Sequence, residues 1–300
     1  MSAVLVGLHP RYILLRTRLY STNMPKTTKY KLKEVRHSPF KDQTRSRSKG
    51  SSNSKGTKGA EKRQPTTNPA SFLLTGLETQ FNASQNIKNA AKMKQYMRNQ
   101  FEFYGIMAPE LKIITKEVLG TGPELTRDQA LQFLWDAWQK PNREFQIMAT
   151  NYAMSHVGIL MGPDVKSTKH SLGTIQKLIT HKSWWDTVDM LACNVIGPMV
   201  INYPDDLGLV MDKWIEDDNM WLRRTAILHQ LKYKTKTDSH KLFRYCLMRS
   251  EEEEFFIRKA IGWALREYGK TNRDEVKTFV TKHRESLSNL SVREALKHIK

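Results

Sequence analysis

Two short segments of this chain superimpose when one is slid by 34 residues. Trp221-Leu222-Arg223-Arg224-Thr225-Ala226-Ile227 then falls on Phe255-Phe256-Ile257-Arg258-Lys259-Ala260-Ile261, with the shared pattern aromatic, apolar, any, Arg, any, Ala, Ile. Moving Phe256 to Ala260 back by 111 residues, about three periods, lands on Phe145-Gln146-Ile147-Met148-Ala149. Trp185, Arg224 and Trp263 follow one another at intervals of 39. Apolar residues recur at helical spacing through these stretches, and no long segment alternates as a strand would. A period in the high thirties built only from helices predicts an all-α solenoid of stacked helix pairs, at least four units long.

The charge is unevenly placed. Residues 1–70 hold 16 Lys and Arg against 3 Asp and Glu, whereas residues 71–300 hold 33 against 27. Such a surplus favours nucleic acid over an acidic protein partner, because neutralising phosphates releases counterions. Residues 1–23 carry Arg11, Arg16 and Arg18, no acid, and Leu5, Leu8, Tyr12, Leu15 and Leu19 at helical spacing. That is the composition of a mitochondrial transit peptide, and Met24 offers an internal start without it. Residues 24–70 are a Lys-, Ser-, Thr- and Gly-rich leader expected to be disordered, since it has little apolar surface to bury. Arg45, Arg47, Lys49, Lys55, Lys58 and Lys62 make it polycationic, which suits nuclear import or loose DNA attraction equally. The folded domain is expected over 71–300.

Cys193 and Cys246 lie in apolar helical stretches, with no Cys-x-x-Cys or Cys/His cluster. Free buried thiols in a reducing compartment are expected, with no zinc site. The longest apolar run is far below the roughly 20 residues of a membrane helix, so a soluble protein without a membrane partner is expected.

Along the domain, Phe72, Leu73, Leu77 and Phe81 predict one buried helix face, and Ile87–Phe103 a second helix. Gly105 and Pro109 mark a break before a helix over 110–118, and a turn follows at 120–123. Thr126 and Gln129 have capping-box spacing. Ala130, Phe133, Leu134, Ala137 and Trp138 form a buried stripe, and Trp135 is assigned to the core with them. Ser183 and Asp186 predict a second cap, and Ser250 with Glu253 a third, the acids at 251–254 suiting the positive end of a helix. Further helices are expected over 172–179, 207–215, 222–231, 239–248, 253–268, 273–281 and 292–299.

Asp189 is different. It falls inside a helix, one turn beyond Trp185 and on the same face, where an exposed carboxylate is the plain expectation. Arg224 shares its repeat position with Arg258, and one of the two reads as a structural or phosphate-facing cation. His181, His229 and His240 have no metal-binding spacing. Lys232, Lys234 and Lys236 alternate after a helix, and Arg266 and Lys270 sit one turn apart. Lys232, Arg266 and Lys270 are taken as candidate phosphate contacts.

Taken together, Ser183-Trp-Trp-Asp-Thr-Val-Asp189, Trp221-Leu-Arg-Arg224, Gln230-Leu-Lys-Tyr-Lys234 and Phe255–Tyr268 resemble the AlkD-type DNA alkylation repair family, the HEAT-like-repeat DNA glycosylases. Gln95–Ile106 and Arg293–Ile299 extend the resemblance over nearly all of residues 71–300. It implies a superhelical α-solenoid of HEAT-like helix pairs whose concave basic face holds duplex DNA. It also implies excision of cationic N3- and N7-alkylpurines to leave an abasic site, without metal or organic cofactor. On that resemblance Asp189 is the catalytic carboxylate, Trp185 and Trp263 are the flanking indoles, and Arg224 grips the DNA backbone. A monomer acting in the mitochondrion, or alternatively the nucleus, is expected. The competing readings are a noncatalytic DNA-shape binder and a helical-repeat RNA or protein binder. Retention of Asp189 speaks against the first. The second leaves Trp185, Asp189, Arg224 and Trp263 without a role.

Overall fold

Residues 68–298 are described by the computed structural model. The expected transit peptide and most of the basic leader lie outside them. The first helix, α1 (Pro69–Ala83), is capped by the Asn68 side chain on the Ala70 N–H at 3.0 Å, with Pro69 in the first turn, where its missing N–H costs nothing. This helix thus starts slightly before Ser71. Its buried face is Ala70, Leu73, Leu74, Leu77 and Phe81. Phe72, expected on that face, points outward with 57 % of its surface exposed, because the core stripe runs through Leu73 and Leu74 instead.

The second helix is shorter than its periodicity predicts. α2 (Ile87–Tyr96) stops because Arg98 and Asn99 adopt left-handed backbone, φ 55° and 58°, and it buries no residue of its own. The following chain is extended and is clasped by α5 (Arg143–Ser155): the Glu144 carboxylate accepts the N–H groups of Tyr104, Gly105 and Ile106 at 3.1, 2.9 and 3.2 Å. Gly105 has φ +89°, and a Cβ there would stand 2.1 Å from the Asn86 carbonyl oxygen, so only glycine passes. Sequence periodicity could not register a clasp made by a side chain some forty residues away. α3 (Ala108–Thr121) then runs through Gly120 instead of turning there.

From here the chain forms helix pairs. α4 (Arg127–Gln139) opens with the expected capping box of Thr126 and Gln129 and buries all five residues of its predicted stripe. Trp135 is only partly buried, beside His181 and Lys177. After the short α6 (Val157–Met161), α7 (Val165–Thr180) begins on an Asp164 cap, about two turns before the expected start. Its partner is one continuous helical run made of α8 (Trp185–Leu191), a π-helical turn (Ala192–Ile196) and α9 (Gly197–Asn202). The remaining pairs are α10 (Pro204–Trp214) with α11 (Met220–Leu228), α12 (Ser239–Met248) with α13 (Phe255–Tyr268), and α14 (Arg273–Lys282) with α15 (Asn289–Ala295). The second helices pack in succession, α5 on α8, α8 on α11, α11 on α13 and α13 on α15. Each pair buries its apolar face against its neighbours, which is how a solenoid builds a continuous core.

Two of the three expected caps are absent. Trp184, not Ser183, precedes α8, and it offers no side-chain cap; the Ser183 hydroxyl donates to the Ile179 carbonyl at 2.6 Å. Asp186 is occupied elsewhere, by Arg143. Glu254 caps α13 through the Phe256 N–H, while the Ser250 hydroxyl donates back to Leu247. Cys193 and Cys246 are buried and unpaired, as expected. Among the described residues no helix is long and apolar enough to cross a membrane.

Candidate active site

The true repeat register emerges from the helix starts. The residues preceding α8, α11, α13 and α15 are Trp184, Asn219, Glu254 and Ser288, spaced by 35, 35 and 34. In that register Arg258 corresponds to Arg223, not to Arg224 as the 34-residue slide suggests. Their bonds agree: Arg258 Nε donates to the Glu252 carbonyl at 2.6 Å, and Arg223 Nη1 to the Asp217 carbonyl at 2.7 Å, each reaching six residues back. Arg258 and Arg223 tie their own loops. Arg224 is therefore the odd residue, and its position corresponds to Asp189 one unit earlier.

Asp189 and Arg224 meet. Arg224 Nε and Nη2 donate to the two Asp189 carboxylate oxygens at 2.7 and 2.8 Å, a bidentate pair between α8 and α11. Arg224 Nη1 donates to the Phe256 carbonyl of α13, and the guanidinium carbon lies 5.7 Å from the Phe256 ring centre. Only 8 % of Asp189 and 3 % of Arg224 are exposed. Asp189 is thus not the solvated carboxylate that a helix interior suggests. The Arg224 donors are directed to Asp189 and Phe256, which holds the guanidinium against the carboxylate. Burial pushes the Asp189 carboxyl above its ordinary range; the Arg224 charge pulls it back without cancelling the effect.

The aromatic residues divide into two roles. Trp184 packs inward with Trp221 and Phe256, at ring separations of 6.0 and 5.3 Å. Trp185, one residue on, is half-buried beside Tyr96 of α2, whose ring stands edge-on at 6.2 Å. Trp263 on α13 is likewise half-buried against the core. Trp185 and Asp189 share one face of α8 by helical spacing. Just past Asp189 the helix widens into the π-helical turn, a distortion often found at working sites. There the Cys193 thiol donates to the Asp189 carbonyl at 2.9 Å, and Asn194 accepts from Lys232.

Of the expected phosphate contacts, Arg266 and Lys270 line one cleft, and Lys232 does not line it. Lys232 and Lys270 are exposed, Lys270 pairing with Glu267 at 2.5 Å. Arg266 pairs with Glu294 of α15. Among the described residues no group of three or more His, Cys, Asp and Glu could hold a metal ion. Sequence reasoning missed Tyr96, Arg143, Phe256 and Glu294. Their roles arise from contacts between units, and no spacing rule announces them.

A helical-repeat protein that seats one carboxylate in a guanidinium fork, with a half-open indole one turn away, has the makings of a site that stabilises positive charge. The comparisons give that class its family. A model of the DNA alkylation repair enzyme family matches residues 77–299. A solved structure from Enterococcus faecalis, described as a predicted DNA alkylation repair enzyme, is 32 % identical with a TM-score of 0.63, covering 72 % of this chain and 96 % of that one. The structure of smu.31 from Streptococcus mutans UA159 is 16 % identical with a TM-score of 0.49, covering 69 % of this chain and 100 % of that one. No curated protein matches. The chain belongs to the DNA alkylation repair enzyme family, and is accordingly an enzyme of DNA repair.

Proposed function

We propose that this protein is a monofunctional DNA glycosylase that hydrolyses the N-glycosidic bond of cationic N3- and N7-alkylpurines in duplex DNA. The observation that carries the reading is the seating of Asp189. An alkylated purine already bears positive charge, so its departure needs little acid help. When the glycosidic bond breaks, its electron pair neutralises the base and leaves an oxocarbenium-like C1′. A carboxylate held in place beside that centre stabilises it without reorganising. Each Asp189 oxygen accepts one Arg224 N–H and retains a lone pair, enough to orient a water. The water oxygen bonds to C1′ and its proton passes to the carboxylate or to solvent, leaving an abasic site. Trp185 and Trp263 would offer electron-rich faces to the cationic nucleotide, worth about 0.5–2 kcal/mol each.

The test is release of 7-methylguanine and 3-methyladenine from methylated duplex DNA, wild type beside Asp189→Asn, with binding measured in parallel. Release by wild type that is lost in the variant while binding persists supports the reading. Binding without release by wild type would move the protein to a noncatalytic DNA-binding role. Equal release by both would keep the enzyme and remove Asp189 from its chemistry.

A further inference from the structure

Counting 35 residues at a time from Asp189 reaches Arg224, then Lys259, then Glu294, the last step being one residue longer than the 34 that separate the starts of α13 and α15. Lys259 and Glu294 form an ion pair between α13 and α15 with the signs of the Asp189–Arg224 pair reversed. Lys259 Nζ lies 2.7 Å from Glu294 Oε1, and Arg266 bonds the other carboxylate oxygen while its Nη1 also donates to the Glu294 carbonyl at 3.3 Å. One carboxylate therefore collects two cations from α13. Lys259 is one turn before Trp263 and Arg266 one turn after it, on the same helix face.

The approach of α15 is built in. A Cβ at Gly262 would stand 2.5 Å from the Glu294 Cβ and 2.8 Å from the Ser291 carbonyl oxygen, so glycine there lets α15 lie directly against the helix beside Trp263. The Ser291 hydroxyl donates to the Arg258 carbonyl at 2.9 Å, which fastens the contact. The two cations are more open to solvent than Arg224: the Lys259 and Arg266 side chains are 25 % and 16 % exposed against 4 %, while Glu294 at 12 % matches Asp189 at 11 %. Arg266 also lines a cleft of about 250 Å³ together with Lys270, Thr271, Arg273 and His298, a lining with no acid in it.

We infer that Lys259 and Arg266 form a phosphate clamp on either side of Trp263, and that Glu294 occupies, in the free protein, the place a DNA backbone phosphate takes in the complex. A phosphodiester carries the same single negative charge as the carboxylate it would displace, and Arg and Lys serve both as partners. The exchange keeps both cations paired throughout. It also brings the strand to Trp263 and leaves its next phosphates facing the cation-lined cleft. A plain helix-to-helix tie would account for the ion pairs alone. It would not call for two cations bracketing an indole beside an acid-free cleft. This inference rests on the DNA reading above.

The experiment is fluorescence anisotropy of the full chain with an undamaged duplex, between 50 and 200 mM salt. Glu294→Gln is expected to bind about fivefold tighter than wild type, since it removes the competing charge and keeps the side-chain shape. Arg266→Gln and Lys259→Gln should each bind more weakly and flatten the slope of log affinity against log salt by about 0.9. Affinity in Glu294→Gln that is equal to or weaker than wild type, with an unchanged melting temperature, would overturn the clamp. If Glu294→Gln does not fold, the two slopes decide, and unchanged slopes overturn it. Wild type that binds no duplex sinks this inference and the DNA reading together. Wild type that binds, with variants indistinguishable from it, sinks only the clamp.

Discussion

Helix α8 carries two buried Arg–Asp pairs three residues apart, and they differ in how fully they are enclosed. Asp186 takes Arg143 Nη2 at 2.6 Å and Nε at 3.2 Å, and the same guanidinium reaches Thr187 at 2.9 Å and the Lys182 carbonyl at 2.8 Å. Its flat face lies 3.8 Å from the centre of the Phe101 ring. The two side chains are 0 % and 1 % exposed. The Asp189–Arg224 pair has the same chemistry but 11 % exposure on its carboxylate. The first pair is enclosed on every side and fastens α8 to α5 and to the loop after α2. The second leaves an edge of the carboxylate open beside Trp185. Equal chemistry thus divides into an enclosed fastening and a candidate site through the last fraction of solvent access.

The largest effect should come from the sealed pair. Arg143→Ala leaves Asp186 as a buried charge without its partner and is expected to cost about 3–5 kcal/mol in urea unfolding. A cost below 1 kcal/mol would mean that the enclosure is not holding the helix. Next is Asp189→Asn, expected to lower excision roughly 100- to 1000-fold, as loss of a fixed charge-stabilising group does. It should destabilise the fold less than Arg143→Ala, and a larger stability loss would erase the division between the pairs.

The pH dependence sharpens the same point. Burial holds the Asp189 carboxyl above the ordinary aspartate value of 3.8. The folded state thus binds this proton more tightly than the unfolded chain does. Its contribution to stability is intact below 3.8 and declines as pH rises through the raised value. Excision should move the opposite way, with an acid limb displaced above 3.8 that a pH–rate profile will reveal. Arg224→Lys replaces a two-point fork by one donor and should lower excision by about tenfold with a smaller change in substrate binding. Last, Thr187→Val removes one hydroxyl from the sealed network and should cost about 1 kcal/mol.

Much of this molecule was legible along the chain. The apolar stripe from Ala130 to Trp138, the Thr126 capping box and the helix-only architecture follow from local spacing, since neighbours at three and four residues meet on any helix. Trp185 and Asp189 could be placed on one face for the same reason. Local rules failed where a distant group competed for a residue. Asp186 was free to cap its own helix in the sequence, but Arg143 claims it in the fold. The 34-residue slide matched Arg224 to Arg258 because letters align without regard to helix starts. The bonds of Arg223 and Arg258 restore a register of 35.

By itself, then, the sequence determined the helices, the repeat and the residue types available for chemistry, because these depend on contacts within a turn or two. Only the tertiary structure decided which charges meet. Asp189 is brought to Arg224 from 35 residues away, and Arg143 to Asp186 from 43. Stacking of neighbouring units sets those distances, and the water it excludes decides which carboxylate is locked away and which keeps an edge to solvent.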